Sequence, residues 1–242
     1  AEIETSGSMG ISFLKGGNDT LSAFGGNDTL SVGEGNDQIY ASTDDDILYG
    51  NQGSDRLSAG NGDDFVFGGQ GNDTVYGGVG ADSIFGNRGD DLIVSEGEND
   101  LVYGNQGADL ILAGSSDDTV YGGQGADTLS GGIGNDMIFG NLDADSIIGA
   151  FGNDTLDGGG GADKFLFESD SSNDQILNFS TSEDEIQITA SVNGGSISSA
   201  AAALAATADS SGNAVVALGS NNTITLVGVS TSELSTSNFE II

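Results

Sequence analysis

The sequence contains no cysteine, histidine, tryptophan or proline among its 242 residues. Without cysteine the chain has no disulfides, no thiolate metal sites and no thiol nucleophile. Without histidine it lacks the zinc ligands of an H-E-x-x-H protease and the general base of a Ser-His-Asp triad, and no G-x-S-x-G motif occurs. The sequence therefore predicts that this chain is not an enzyme.

Positive charge is scarce: four lysines and arginines stand against 38 aspartates and glutamates, which gives a formal net charge of −34. Such a surface repels nucleic acid and anionic lipid and favours cations as partners. No stretch approaches the ~20 consecutive apolar residues that a membrane-spanning helix needs. We expect neither nucleic-acid binding nor membrane insertion.

Glycine is abundant, with 42 residues, and much of it belongs to a nine-residue repeat. An aspartate recurs every nine residues over 17 repeats: Asp19, Asp28, Asp37, Asp46, Asp55, Asp64, Asp73, Asp82, Asp91, Asp100, Asp109, Asp118, Asp127, Asp136, Asp145, Asp154 and Asp163. Two residues after each aspartate stands an apolar residue, from Leu21 to Phe165. A flexible acidic linker has no reason to keep apolar residues in phase with aspartates, so the pattern predicts short strands with one inward residue each.

The repeat has the form G-G-x-G-x-D-x-U-x, where U is apolar, as in "GGQGNDTVY" at 68–76. It resembles the RTX family of secreted bacterial proteins, in which six residues form a turn, three form a strand, and two nonapeptides make one coil. The resemblance implies an all-β fold with a right-handed parallel β-roll over residues 14–167. Residues 1–13 would form an N-terminal lead-in or cap, and residues 168–242 a C-terminal β-rich capping region.

The repeat supplies the oxygen ligands that calcium prefers, namely carboxylates and main-chain carbonyls. Glycine permits positive-φ conformations that curl carbonyl groups inward, and zinc would want the absent histidine or cysteine. Each turn offers its repeat aspartate, and the clearest carbonyl candidates belong to Gly68, Gly69, Gly71, Gly77, Gly78, Gly80, Gly122, Gly123, Gly125, Gly131, Gly132 and Gly134. If each turn stacks on the next but one, the repeats make room for up to about 15 calcium ions.

Four turns depart from the glycine pattern, at residues 41–46, 95–100, 113–118 and 140–145. We expect weaker or altered calcium sites at these turns. In three of them a carboxylate replaces the glycine that stands two residues before the aspartate: Asp44, Glu98 and Asp143. The extra carboxylate either compensates as a ligand or is simply solvated, and the sequence favours neither interpretation.

The last strand position of alternate repeats carries six aromatic residues at 18-residue spacing: Tyr49, Phe67, Phe85, Tyr103, Tyr121 and Phe139. We refer to these six residues as the aromatic stripe. With two nonapeptides in each coil, they all lie on the outer face of one sheet. In one interpretation the rings stack and stabilise that sheet. In the other, the aromatic stripe is a contact surface for self-association.

The nonapeptide period ends after Phe167, and residues 170–188 resemble the segment that closes RTX rolls. Asp174 and Asp184 in this segment either bind a further ion or lie in a solvated loop. Alanine and leucine predict a short helix at 198–208, and two β-rich runs predict a hairpin at 213–229. The layout resembles the uncleaved C-terminal signal of type I secretion substrates, which makes the type I secretion apparatus a predicted partner.

These observations lead to one functional prediction and one alternative. The prediction is an extracellular, secreted or cell-surface-associated calcium-binding protein that folds on secretion and acts as a structural or matrix component. The alternative is the C-terminal RTX secretion and folding module of a larger secreted enzyme, of the protease, lipase or epimerase type.

Overall fold

The computed structural model describes residues 2–5, 11–168, 172–189, 197–219 and 222–242. Two long sheets contain most of them. The odd sheet has 12 strands: β1 (Glu2–Thr5), β3 (Thr20–Ala23), β5 (Gln38–Tyr40), β7 (Arg56–Asn61), β9 (Thr74–Val79), β11 (Leu92–Gly97), β13 (Leu110–Ser115), β15 (Thr128–Ile133), β17 (Ser146–Phe151), β19 (Lys164–Phe167), β21 (Glu185–Ile188) and β25 (Phe239–Ile241).

The even sheet has 13 strands: β2 (Ile11–Phe13), β4 (Thr29–Ser31), β6 (Ile47–Gln52), β8 (Phe65–Gln70), β10 (Ser83–Arg88), β12 (Leu101–Gln106), β14 (Thr119–Gln124), β16 (Met137–Leu142), β18 (Thr155–Gly160), β20 (Asn173–Leu177), β24 (Asn222–Leu226), β23 (Asn213–Gly219) and β22 (Thr207–Ser210). Among the described residues the one α-helix is α1 (Ala200–Ala205), and short 3₁₀ turns lie at Thr231–Glu233 and Thr236–Asn238. No described helix is both long and apolar enough to cross a membrane.

Neighbouring strands of the repeat region are parallel, and paired residues lie one coil apart in the sequence. Ile84 of β10 pairs with Val66 on one side and with Val102 on the other. In the odd sheet, Ile93 likewise lies between Val75 and Ile111. Alternate nonapeptides therefore enter opposite sheets, and the predicted parallel β-roll with two repeats in each coil is confirmed.

The strands are longer than the three residues expected. Each strand from β6 to β18 spans six residues, because pairing continues beyond the fourth residue. Between β8 and β10, Phe67 pairs with Phe85 and Gly69 with Asn87, but Gly68 has no pair in the ladder. Gly68 marks a bend, and the first part of the predicted turn remains hydrogen-bonded to the neighbouring coil.

The core consists of one buried row from each sheet. The apolar residue two positions after every repeat aspartate is 0% exposed, throughout the set from Leu21 to Phe165. A second inward position, four residues after the aspartate, was not expected from the sequence. It holds mostly glycine, with Ala59, Ala113 and Ser95 among the exceptions, all of them 0% exposed. Within the regular coils a Cβ at these glycines would meet the carboxylate of the next aspartate, which favours small residues, whereas Val32 and Phe167 hold the same position near the two ends of the repeats.

The C-terminal region continues both sheets. β20 and β21 follow their predecessors after 20 and 21 residues, yet Thr155 still pairs with Gln175 and Lys164 with Glu185. The predicted hairpin is confirmed as antiparallel β23 and β24, while its turn residues 220 and 221 lie outside the described residues. The helix is shorter than predicted, because residues from Thr207 onward form β22 and pair with β23.

Sheet pairing also extends past both predicted limits of the roll. β1 and β2 pair in register with β3 and β4, so strands begin before residue 14. Residues 1 and 6–10 of the predicted lead-in lie outside the described residues. At the other end, β25 pairs with β21 and extends the odd sheet beyond residue 167.

Candidate calcium sites

The repeat aspartates form two columns that run along the roll. The first column contains Asp19, Asp37, Asp55, Asp73, Asp91, Asp109, Asp127, Asp145 and Asp163; the second contains Asp28, Asp46, Asp64, Asp82, Asp100, Asp118, Asp136 and Asp154. All of these residues are buried, with exposed fractions of 0–7%. Carboxylates predicted from the nine-residue period thus lie next to one another in space.

A hydrogen bond joins the carboxylate of every repeat aspartate from Asp37 onward to the coil before it. The Asp55 N–H donates to Oδ1 of Asp73 at 2.8 Å, and the Asp73 N–H donates to Oδ1 of Asp91 at 2.7 Å. The same bond recurs at all 15 steps within the two columns, at 2.6–2.9 Å. Oδ1 therefore holds each coil in register with the one before it, and its second lone pair can still bind a further donor or a cation.

The other carboxylate oxygen has a different environment. Among the described residues, Oδ2 is buried without a hydrogen-bond partner in 14 repeat aspartates: Asp37, Asp55, Asp64, Asp73, Asp82, Asp91, Asp100, Asp109, Asp118, Asp127, Asp136, Asp145, Asp154 and Asp163. A buried oxygen that lacks a partner destabilises the fold, and a charged one does so more strongly. A hard divalent cation satisfies such oxygens, so this donor set fits calcium.

Burial also changes the acidity of these groups. Loss of hydration raises the pKa of Asp73 from 3.8 to about 7, against the opposing effect of its hydrogen bond from Asp55. For Asp100 burial raises the pKa to about 8, and the neighbouring Asp82 and Asp118 add to the effect. Burial therefore makes the ionised form of these carboxylates less favourable than it is in water, and a bound cation would relieve this cost.

The predicted glycines serve two distinct structural purposes. Gly69 and Gly71 have φ of +123° and +114°, and a Cβ there would meet the carbonyl oxygens of Asn51 and Gly53 in the preceding coil. The same positive φ occurs at Gly78, Gly80, Gly123, Gly125, Gly132 and Gly134. The remaining predicted glycines, Gly68, Gly77, Gly122 and Gly131, instead face Oδ2 of the aspartate five residues later.

The four irregular turns keep this backbone conformation without glycine. Asp44, Glu98, Ser116 and Asp143 have φ between 73° and 87°, the left-handed region that glycine would favour. Two of the extra carboxylates contact the neighbouring coil: Oδ2 of Asp44 accepts from the Gly26 N–H at 2.9 Å, and Oδ2 of Asp143 from the Gly125 N–H at 3.1 Å. Asp44 and Asp143 are therefore structural hydrogen-bond acceptors as well as exposed charges.

Asp174 and Asp184 extend the two columns beyond the repeats. The Asp154 N–H donates to Oδ1 of Asp174 at 2.9 Å, and the Asp163 N–H donates to Oδ1 of Asp184 at 3.1 Å. Both residues are buried, with exposed fractions of 2% and 5%, so neither lies in a solvated loop. The sequence could not place them because their spacing breaks the nine-residue period.

Carboxylates alone do not make a complete cation site. In the described part of the chain no three acidic side chains converge on one point. A calcium ion, which takes six to eight oxygens, would therefore have to draw the rest from main-chain carbonyls or water. This division of ligands is the one predicted from the glycine-rich turns.

The aromatic stripe forms a continuous stack on the even sheet. Successive ring centroids lie 4.7–5.1 Å apart with interplanar angles of 3–11°. The rings are half-buried, because each one covers the face of the next. The structure thus supports mutual stabilisation of the stripe, as in the first interpretation of the sequence.

A family model for the RTX calcium-binding nonapeptide repeat (4 copies) matches eight overlapping segments: 15–39, 31–66, 40–75, 67–102, 95–129, 103–138, 130–165 and 139–176. Together they cover more than half of the chain. This chain belongs to the RTX calcium-binding repeat family. Both the nonapeptide pattern and the paired columns of the RTX roll agree with that assignment.

Solved structures provide two further comparisons for the RTX chain. It is 28% identical to the AlgE6R3 subunit of the mannuronan C5-epimerase from Azotobacter vinelandii, over 53% of this chain and 80% of that one, with a TM-score of 0.42. It is 19% identical to the extracellular lipase LipA from Serratia marcescens over 86% of its own length, with a TM-score of 0.43, and spans 40% of the lipase. The search of curated proteins gave no match.

Proposed function

We propose that this RTX chain is an extracellular or cell-surface-associated structural protein that binds calcium along both aspartate columns and requires it to fold. The buried, unpartnered Oδ2 atoms of the columns carry this proposal. Their aspartates would hold the ions together with carbonyls of the glycine-rich turns, such as Gly68, Gly69 and Gly71. Calcium, when bound, supplies the positive charge that the four basic side chains of this protein cannot provide.

The size of the repulsion within the columns supports a structural requirement for the ion. Stacked strands are about 4.8 Å apart, and two unit charges at that distance repel by roughly 0.9 kcal/mol in water. Over the 15 column steps given by the hydrogen bonds, this amounts to roughly 13 kcal/mol before salt screening. That energy is as large as the whole stability of a typical domain. Up to about 15 calcium ions would bring a compensating charge of about +30.

A calcium requirement for folding would be useful during secretion. Extracellular calcium modules have dissociation constants of ~10⁻⁴–10⁻³ M, far above free cytosolic calcium. The chain would stay unfolded inside the cell and pass through the type I secretion apparatus as an extended polypeptide. Outside, calcium would stabilise only the folded form and so draw the chain into the roll.

Circular dichroism during a calcium titration tests the proposal. The full chain should show little β-structure in excess EGTA and acquire it cooperatively as calcium rises to the millimolar range. Magnesium is the matched control, since it prefers a tight octahedron and keeps its waters, and it should be much less effective. Full β-structure and an unchanged melting temperature in EGTA would show that the roll folds without the ion.

We also propose that the surface formed by the aromatic stripe with Phe65 and Met137 is a contact between copies of the folded protein. Phe65 and Met137 are 49% and 45% exposed on the same sheet as the stripe. Calcium would lower the net charge that otherwise keeps copies apart. Sedimentation velocity at millimolar calcium should show self-association that the double substitution Phe65→Ser, Met137→Ser weakens. A monomer at all protein concentrations would exclude this contact.

The module of a larger secreted enzyme remains the second prediction for this chain. Mass spectrometry of the secreted product distinguishes the two functions. A catalytic domain joined to this roll would favour the module, and a product made of repeats alone would favour the structural protein.

A further inference from the structure

Asp174 lies outside the nonapeptide repeats but occupies the next place in the second aspartate column. It follows Asp154 after 20 residues instead of the usual 18. The two additional residues do not disturb the sheet, because Thr155 pairs with Gln175 and Leu156 with Ile176. The step from Asp154 to Asp174 therefore has the same register as a step between two repeats.

The hydrogen bonds at this step also repeat those within the columns. The Asp154 N–H donates to Oδ1 of Asp174 at 2.9 Å, and the Asn173 N–H donates to Oδ1 of Asn153 at 3.0 Å. Oδ2 of Asp154 is buried and has no partner among the described residues, and Asp154 as a whole is 1% exposed. Oδ2 of Asp163 in the other column is equally buried and unpartnered, so the two column ends differ at Asp174 and Asp184. In the turn before Asp154, Gly152 has φ +127°, as in the regular turns.

The end of the first column differs at Asp184. Its Oδ1 accepts from the Asp163 N–H at 3.1 Å, and its Oδ2 accepts from the Ser180 N–H at 2.7 Å. The Asp184 N–H in turn donates to the Ser180 carbonyl at 2.9 Å. Main-chain donors thus hold both oxygens of Asp184, and they close this column in the manner of a turn cap.

We propose that Asp174 and Asp154 form one further calcium site, beyond the last repeat, whereas Asp184 ends its column without an ion. This inference rests on the proposed calcium-dependent function of the roll. The site would attach the C-terminal hairpin to the roll, because β20 carries Asp174 and pairs with β24 at Ile224. Calcium would then order the C-terminal region through a residue that the nonapeptide motif does not include.

Hydrogen exchange of the full chain across a calcium titration tests this assignment, with three variants. Asp174→Asn removes the charge but keeps an acceptor for the Asp154 N–H. Asp184→Asn makes the same change in the other column, and Glu183→Gln is the matched control at an exposed neighbouring position. In Asp174→Asn, the calcium concentration that half-protects the amides of β20 and β24 should rise about tenfold or more, because a charged ligand is lost.

The other peptides in the same samples distinguish the possible results. Protection of β8 to β14 should keep its wild-type calcium midpoint in all three variants, which shows that the roll still folds. Equilibrium dialysis should find one ion fewer in Asp174→Asn, and the wild-type number in Asp184→Asn and Glu183→Gln. An unchanged β20 midpoint and ion number in Asp174→Asn would overturn the Asp174 site. Loss of an ion in Asp184→Asn would overturn the inference that only the Asp174 column ends in a calcium site. Absence of any calcium-dependent protection at β8 to β14 would instead refute the proposed function.

Discussion

Acidification in the absence of calcium is expected to fold the RTX roll, whereas acid unfolds most proteins. The reason is the direction of the pKa changes in the columns. Burial raises the pKa of Asp64, Asp73, Asp82 and Asp91 to about 7, from 3.8. Between about pH 4 and pH 7 the folded state therefore binds more protons than the unfolded state. The stability that these carboxyls contribute is fully present below their pKa in the unfolded chain, and it is lost as the pH rises through their pKa of about 7 in the folded chain.

The magnitude follows from the same pKa values. A change from 3.8 to about 7 in one carboxyl corresponds to about 4 kcal/mol between pH 8 and pH 4, and roughly half of this after solvent screening. A few such groups together match the 5–15 kcal/mol that stabilises a typical domain. Protons and calcium then act as alternative partners of the same oxygens, so the calcium concentration that half-saturates the sites should increase as the pH falls from 8 to 5.

Far-UV circular dichroism of the full chain in chelator-treated buffer measures this effect at pH 8 and pH 5. β-Structure should increase at pH 5, and sedimentation velocity should confirm a soluble species, since the calculated pI is about 4.1. If β-structure stays absent or decreases at pH 5 while the protein remains soluble, burial of the carboxylates is not what destabilises the ion-free roll.

Three pairs of substitutions test other parts of the structure. Asp91→Asn should raise the calcium concentration needed for folding, because it removes a column carboxylate, while Asp90→Asn at the exposed neighbouring position should have little effect; equal calcium titration midpoints would contradict the column assignment. Gly107→Ala should destabilise the calcium-loaded roll by about 1–3 kcal/mol, since φ is +129° and a Cβ would meet the Gly89 carbonyl. Gly160→Ala, whose Cβ would lie 3.9 Å from the nearest atom, should change the melting temperature little, and similar losses at both glycines would refute this explanation. Phe85→Ala removes two ring stacks and Phe139→Ala removes one, so thermal melting should show Phe85→Ala to be the more destabilising by about 0.5–1.5 kcal/mol; the reverse order would argue against stacking as the role of the stripe.

Much of the repeat region follows from the sequence because its order is periodic. A nine-residue period with one aspartate and one apolar residue predicts which side chains recur at the same height in successive coils. The burial of Leu21 and its equivalents follows from this period, whereas the stacking of alternate repeats, which makes two columns, was expected from the resemblance to RTX proteins. Both expectations hold along the roll because every repeat has the same neighbours.

The tertiary structure was needed wherever a residue's partners are not repeated. Asp174 and Asp184 have similar sequence contexts, but only the main-chain donor at Ser180 shows that the second oxygen of Asp184 is already held. Likewise, the period did not show that pairing continues past Gly68, or that the rings of the stripe cover one another. The pairing and the ring stacking depend on strand register between residues 18 positions apart, whereas the Ser180 contact depends on the conformation of a local turn that has no counterpart in the repeats. The sequence period specifies which residues occupy equivalent positions, but only the three-dimensional contacts show which atoms each of these residues binds.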